Sequence, residues 1–218
     1  MRPKTETVPK ALLEVANRPF IDWQLELLAR SGATEVVMCI AYLADMIRDH
    51  VGDGSRYGLR MVYVEDPELL GTAGAVRGAL PHLADVFVVT YGDSYLPFDY
   101  GELVRILREH DDCDAVMSVY KNEGKWEVSN VETDGKWVLR YDKTARAPEF
   151  DHVDYGALAF RRSVIEALPP GKLGLDVVQR DLAAARRLRA CVARERFYEI
   201  GSPNGLAELD AYLRNQKQ

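Results

Sequence analysis

A chain of 218 residues, 47% hydrophobic and 28% charged, is long enough to bury a sizeable core and has the composition of an ordinary globular protein. Its 28 Lys and Arg against 34 Asp and Glu give a net charge of −6, which argues against a nucleic-acid polymer as partner, since phosphate backbones are held by clustered cations. No apolar run approaches the roughly 20 residues that cross a bilayer, the N-terminus is polar, and Cys39, Cys113 and Cys191 lack disulfide or metal spacing, so a reducing cytoplasm is the expected setting.

The first half alternates helix and strand signals. Ile21 to Arg30 puts Ile21, Leu25 and Leu28 on one face and stops at Gly32, a C-cap. Glu35 to Ile40 is a continuous apolar run, as expected of a strand buried on both faces. A helical pattern over Ala41 to Val51 leads to the Gly52-Asp53-Gly54-Ser55 loop, and Leu59 to Val64 is strand-like. Helix follows through about Leu80, Val86 to Tyr91 is a strand running into Gly92-Asp93, Leu103 to His110 is helical, and Ala115 to Tyr120 is another buried strand. Strands alternating with helices imply parallel βαβ units in an α/β sheet.

The second half changes character. Val128 to Thr133 and Lys136 to Tyr141 flank Asp134-Gly135, a type I′ hairpin signal. Tyr155 to Phe160 is strand-like, Leu175 to Ala185 helical, Leu188 to Val192 strand-like, and Ser202-Pro203 caps a final helix toward Leu213. Arg186, Arg187 and Arg189 read as a solvated helix terminus, and Cys39 and Cys191 lie in apolar runs where thiols are commonly buried. With no linker or repeat visible, residues 1–218 read as one domain.

Three places carry chemistry on their own terms. Asp93 follows a strand's carboxyl end, where α/β sheets bind ligands, although taken alone a strand running into a Gly-Asp turn is the simpler explanation. Gly71 and Gly74, around Thr72 and Ala73, allow close approach to a flat ligand, and a helix starting near Thr72 offers amides to an anion. Arg2 and Lys10 are either phosphate contacts or solvated surface cations beside Lys4.

In this order the segments resemble the sugar-1-phosphate nucleotidyltransferase family. Arg2-Pro3 and Pro9-Lys10 match the end of its G-T-R-x-R-P and P-K signature. The acidic stretch from Glu65 and the following Leu70-Gly71-Thr72-Ala73-Gly74-Ala75 match its base- and ribose-contacting segment. Leu139 to Lys143 is similar to F-x-E-K-P, with Asp142 for Glu and Thr144 for Pro. Asp154 to Phe160 is similar to the sugar pocket, and Phe197 to Pro203 to F-x-D-I-G-T-P, with Glu199 in place of Asp.

The resemblance implies a Rossmann-like three-layer α/β/α fold with a mixed, mostly parallel sheet and a small antiparallel hairpin region. The strand and glycine-rich loop that open the family's motif would lie before Met1, so the first strand is expected to be missing and the chain as given to bind nucleotide poorly. It implies attack by a sugar 1-phosphate on the α-phosphorus of a nucleoside triphosphate, with release of pyrophosphate. Lys10, Asp93 and Lys143 would be catalytic, and Mg²⁺ would sit on Asp93 and Glu199. Arg2, Glu68, Gly71, Thr72 and Ala73 would bind nucleotide, and Asp154 and Gly156 the sugar. The compact length resembles mannose or heptose 1-phosphate guanylyltransferases. The alternative reading is a catalytically impaired nucleotide-sugar-binding or regulatory relative. No motif names base or sugar, and a homo-oligomer is compatible with the sequence.

Overall fold

The computed structural model describes residues 7–66 and 68–216, so Arg2 lies outside the described residues. In chain order the elements are β1 (Glu14–Val15), β2 (Arg18–Pro19), α1 (Phe20–Arg30), β3 (Glu35–Ile40), α2 (Ala44–Val51), β4 (Arg60–Glu65), α3 (Gly71–Gly78), β5 (Val86–Thr90), β6 (Ser94–Tyr95) and α4 (Tyr100–Glu109). They continue with β7 (Ala115–Lys121), β8 (Val131–Thr133), β9 (Val138–Tyr141), β10 (His152–Arg161), α5 (Arg162–Glu166), α6 (Leu175–Ala184), β11 (Leu188–Ala193), β12 (Tyr198–Glu199) and α7 (Pro203–Asn215). No helix of the described residues is long and apolar enough to cross a membrane. The chain gathers into two compact units, one from residues 7–66, 91–97 and 197–216 and one from residues 68–90 and 98–196.

In the first unit β3 and β4 run parallel, from Glu35 opposite Arg60 to Ile40 opposite Glu65. Ile21 and Leu25 of α1, Ile47 and Val51 of α2, Ile40, Leu59 and Met61 form its core, with Val36 and Met38 packed against it. Helix α1 ends as its sequence predicts: Gly32 has φ +87, and the Gly32 and Ala33 amides donate to Ala29 and Leu28 carbonyls. Strand β3 departs from expectation. It is only partly buried and Cys39 is exposed, because alternate residues Val36, Met38 and Ile40 face the core while Val37 and Cys39 point the other way. Between β1 and β2 a two-residue turn puts Ala16 and Asn17 at φ 49 and 65. That turn is pinned from α7, where Asp210 Oδ1 accepts the Ala16 amide at 2.7 Å.

The second unit holds a six-stranded sheet, β11-β7-β10-β8-β9, with β5 on β10 as well. Strands β5, β7, β8 and β11 point one way; β10 and β9 run against them. The sheet is therefore mixed, with β10 inserted antiparallel between β5 and β7. Ala115, Met117 and Val119 of β7 and Leu158 and Phe160 of β10 share a core with α3, α5 and α6. The intervening Val116, Ala157 and Ala159, all 0% exposed, face the side where α4 packs. Cys191 lies on that same side, its thiol pushed up to about 12 by burial and then by Glu102 of α4.

Two sequence expectations fail here. The β8–β9 connection is not type I′, since Gly135 has φ +85 while Asp134 does not share a positive φ, as that turn requires. Instead the Asp134 carboxylate accepts the Lys136 and Trp137 amides at 2.9 and 2.7 Å. Nor is the arginine cluster a solvated terminus throughout. Arg189, 5% exposed, binds Asp112 through both carboxylate oxygens at 2.8 and 3.0 Å, and its guanidinium stacks on Trp137. Arg187 holds both oxygens of Asp114 at 2.7 Å. Arg186, exposed at φ +52 just past the end of α6, does sit at a helix terminus, whereas Arg187 leads into strand β11 and Arg189 lies on it, both with fixed acidic partners.

Candidate functional site

Lys10, Asp93 and Glu199, far apart in sequence, converge in the first unit. The cause is β6 pairing with β12, Tyr198 opposite Tyr95 and Glu199 opposite Ser94. One step further the Ile200 amide donates to the Asp93 carbonyl at 2.9 Å. Gln24, 7% exposed on α1, fixes the approach by donating to the Tyr91 and Ser94 carbonyls at 2.7 and 3.1 Å. Tyr198 stacks on Tyr212 of α7 with ring centroids 4.4 Å apart.

Lys10 stands in a short 3-10 turn, Lys10–Leu12, closed by Leu12 and Leu13 amides on the Pro9 and Lys10 carbonyls. Its ammonium lies 3.4 Å from Asp93 Oδ2, with the side chains 45% and 40% exposed. The Glu199 carboxylate turns onto its own loop: Oε2 accepts the Gly201 amide at 2.5 Å and Oε1 the Ser202 hydroxyl at 2.8 Å. Ser202 in turn caps α7 by accepting the Gly205 amide at 3.0 Å, as its sequence predicts. Two hard carboxylates on one short ladder, the Asp93 side chain accessible, suit a hard dication that takes one or two carboxylates and completes its shell from water and phosphate. Among the described residues no group of three His, Cys, Asp or Glu side chains is placed to hold a metal ion.

Glu68, Gly71, Thr72, Ala73, Lys143, Asp154 and Gly156 belong to the second unit. Glu68 and Thr72 are exposed, and Ala73 is buried. The start of α3 is engaged by its own chain. Ala73 and Gly74 amides donate to the Leu173 carbonyl at 3.0 and 3.3 Å, and Thr72 Oγ1 accepts the Leu175 amide at 2.8 Å. Gly71 has φ +79, and a Cβ there would meet Leu173 O at 2.6 Å; one at Gly74 would meet Leu70 Cβ at 2.6 Å. The glycines thus permit the close passage of residues 171–173, and the Ala73 and Gly74 amides that the sequence offers to an anion are already bonded.

Asp154 is the most constrained acid. Oδ2 accepts from Gln179 Nε2 at 3.0 Å and from the Tyr141 hydroxyl at 3.2 Å, Oδ1 accepts the Gly156 amide at 3.0 Å, and its own amide donates to Asn130 Oδ1. Burial pushes its carboxyl above the usual range, against the lowering pull of Gln179 and of nearby Lys143. Gly156, φ +103, sits where β10 shifts register against β7 between Asp154 and Leu158. Ser118 bridges the irregularity, donating to the Ala157 carbonyl and accepting its amide. Lys143 is exposed beyond β9, next to Asp142, whose carboxylate accepts the Thr144 hydroxyl and the Thr144 and Ala145 amides and is held below its ordinary pKa by them. Gln179 and Tyr141 escape a motif search. The available signal is a polar Gln179, 0% exposed, in the apolar stripe of α6.

A family model described as nucleotidyl transferase matches residues 1–215. The chain is 44% identical over 102 residues to N-acetylmuramate alpha-1-phosphate uridylyltransferase of Neisseria meningitidis, covering 46% of this chain and 44% of that protein. It is 25% identical over 226 residues to mannose-1-phosphate guanyltransferase beta-A of Xenopus laevis, covering 100% of this chain and 62% of that one. It thus spans about half the length of these relatives. A crystal structure of a putative glucose-1-phosphate thymidylyltransferase from Bacillus anthracis superposes with a TM-score of 0.85 at 18% identity, covering 99% of this chain and 90% of that one.

Proposed function

The chain belongs to the nucleotidyl transferase family, and on that footing we propose that it transfers a nucleotidyl group from a nucleoside triphosphate to a sugar 1-phosphate, releasing pyrophosphate. The observation that carries the reading is the convergence of Lys10 and Asp93, 3.4 Å apart, with Glu199 on the ladder beside them. Phosphoryl chemistry asks a protein mainly to position charged oxygens and offset their charge, and this cluster has the groups for both tasks.

Asp93 and Glu199 would hold a divalent cation, proposed as Mg²⁺, which when bound would neutralise phosphate oxygens. Lys10 would carry the complementary positive charge toward the phosphates. In the second unit Asp154 and Gly156 would receive sugar hydroxyls, with Lys143 beside them on the sugar phosphate, and the exposed Glu68 and Thr72, with Gly71, would meet the nucleotide, whereas Ala73 is buried. The relatives named above carry uridylyl- and guanyltransferase names, and a few pocket hydrogen bonds are enough to discriminate one base from another. Charged substrates that do not cross membranes support a cytoplasmic setting. The test is pyrophosphate release over a panel of triphosphates and sugar 1-phosphates with Mg²⁺. Turnover with one pair bears the proposal out, and no turnover with any pair sinks it.

A further inference from the structure

Resting on the reading that Asp93 and Glu199 hold a divalent cation, we propose that Lys10 is the resident counter-ion of Asp93 and must leave it before it can serve a phosphate. Its Nζ is 3.4 Å from Asp93 Oδ2. The same Nζ is 3.8 Å from where a Cβ of Gly201 would stand, and the Gly201 amide is the donor to Glu199 Oε2. The ammonium therefore pairs with Asp93 and lies near the loop onto which Glu199 folds. While no metal is bound, the lysine offsets the charge of the Asp93 carboxylate, and the Glu199 carboxylate is held by its own loop.

The exchange is cheap by construction. The Lys10 backbone is tied into its 3-10 turn, so only the four-carbon stem has to swing. The pair is nearly half-exposed on both sides, and such ion pairs are weak. Lysine is also the fitting cation for the role, since its compact charge rides on a flexible chain, whereas arginine would grip a carboxylate through two bonds. A dication at Asp93 repels the ammonium, and a phosphate then offers it a new partner. The order of events is cation first and lysine–phosphate contact second.

Binding of Mn²⁺ alone to the full 218-residue chain, counted by the EPR signal of the free ion, tests this directly. Lys10→Met keeps the bulk and removes the charge, and it should bind Mn²⁺ about three- to tenfold more tightly than the unaltered chain. In a second readout, acylation of Lys10 by an amine-reactive ester, followed by mass spectrometry, should quicken when Mn²⁺ is added. In Asp93→Asn it should be quick at the outset and indifferent to metal. If Lys10→Met binds Mn²⁺ no more tightly while Asp93→Asn loses it, the ligand assignment stands and the exchange falls. Unchanged Mn²⁺ affinity in Asp93→Asn overturns both.

Discussion

The Ile200 amide rests on the Asp93 carbonyl at 2.9 Å, so the backbone of Asp93 is fixed by a strand more than a hundred residues later while its carboxylate is left to Lys10. Main chain and side chain of one residue thereby have separate duties. Substitution of the side chain should leave the ladder intact.

Asp93→Asn is accordingly expected to melt with the unaltered chain and to lose about a hundredfold or more of its pyrophosphate release, the usual scale for removing one electrostatic group at a reacting phosphate or acyl centre. Circular dichroism and a coupled pyrophosphate assay check the two halves. Near-normal turnover would refute the assignment.

Glu199 has both a structural and a proposed metal role, and Glu199→Gln separates them. The amide keeps an oxygen for the Gly201 N–H but weakens the bond with Ser202, costing about 1 kcal/mol and lowering the melting temperature by about 2–4 °C. Glu199→Asp retains the charge and can still accept the Gly201 amide in an Asx turn. At limiting Mg²⁺ the Asp variant should therefore far outpace the Gln variant. Equal rates would leave Glu199 a purely structural residue.

Gly71 and Gly135 make a matched pair for backbone strain, with φ +79 and +85. A Cβ at Gly71 meets Leu173 O at 2.6 Å, while at Gly135 nothing lies within 4 Å. Gly135→Ala should cost about 1 kcal/mol from its dihedral alone, and Gly71→Ala about 2–3 kcal/mol because residues 171–173 must also shift. Urea melts of the two variants read the difference, and equal midpoints would show that the Leu173 contact carries no weight.

Asp154 sets a pH dependence of stability. Burial raises its folded pKa above the ordinary carboxylate value, so the folded state keeps a proton that the unfolded chain has already released. Stability from this group is full below about pH 4, falls as pH rises toward the folded pKa, and levels off above it. In Asp154→Asn that fall is absent, and the bare Gln179 Oε1 can turn to accept the new amide. The melting temperature of the variant relative to the unaltered chain should rise across that window. Parallel curves would show that Asp154 titrates normally.

The apolar runs of β5 and β7 and the Ser202-Pro203 cap are legible because local chemistry decides them. Strand β10 is visible as a strand, yet its reversed direction comes from a long return connection that periodicity does not encode. The Ala16-Asn17 turn lacks glycine and depends on Asp210, 194 positions away. Arg187 and Arg189 read as solvated because their partners, Asp114 and Asp112, are likewise remote. At the candidate site the acids and lysines are found by motif, whereas Tyr141, Gln179 and Asn130 around Asp154 emerge only once the strands are placed.

The first unit is stitched from three separate stretches, and this gives it a history during synthesis. When residues 91–97 leave the ribosome, β12 and α7 do not yet exist, so β6 lacks its partner strand, Asp93 its Ile200 amide and Ala16 its Asp210 acceptor. Residues 98–196, most of the second unit, must be made in the interval. The Lys10–Asp93–Glu199 cluster is therefore completed only after residues 98–196 have been made, when the stretch that carries β12 emerges, long after Lys10 and Asp93 themselves.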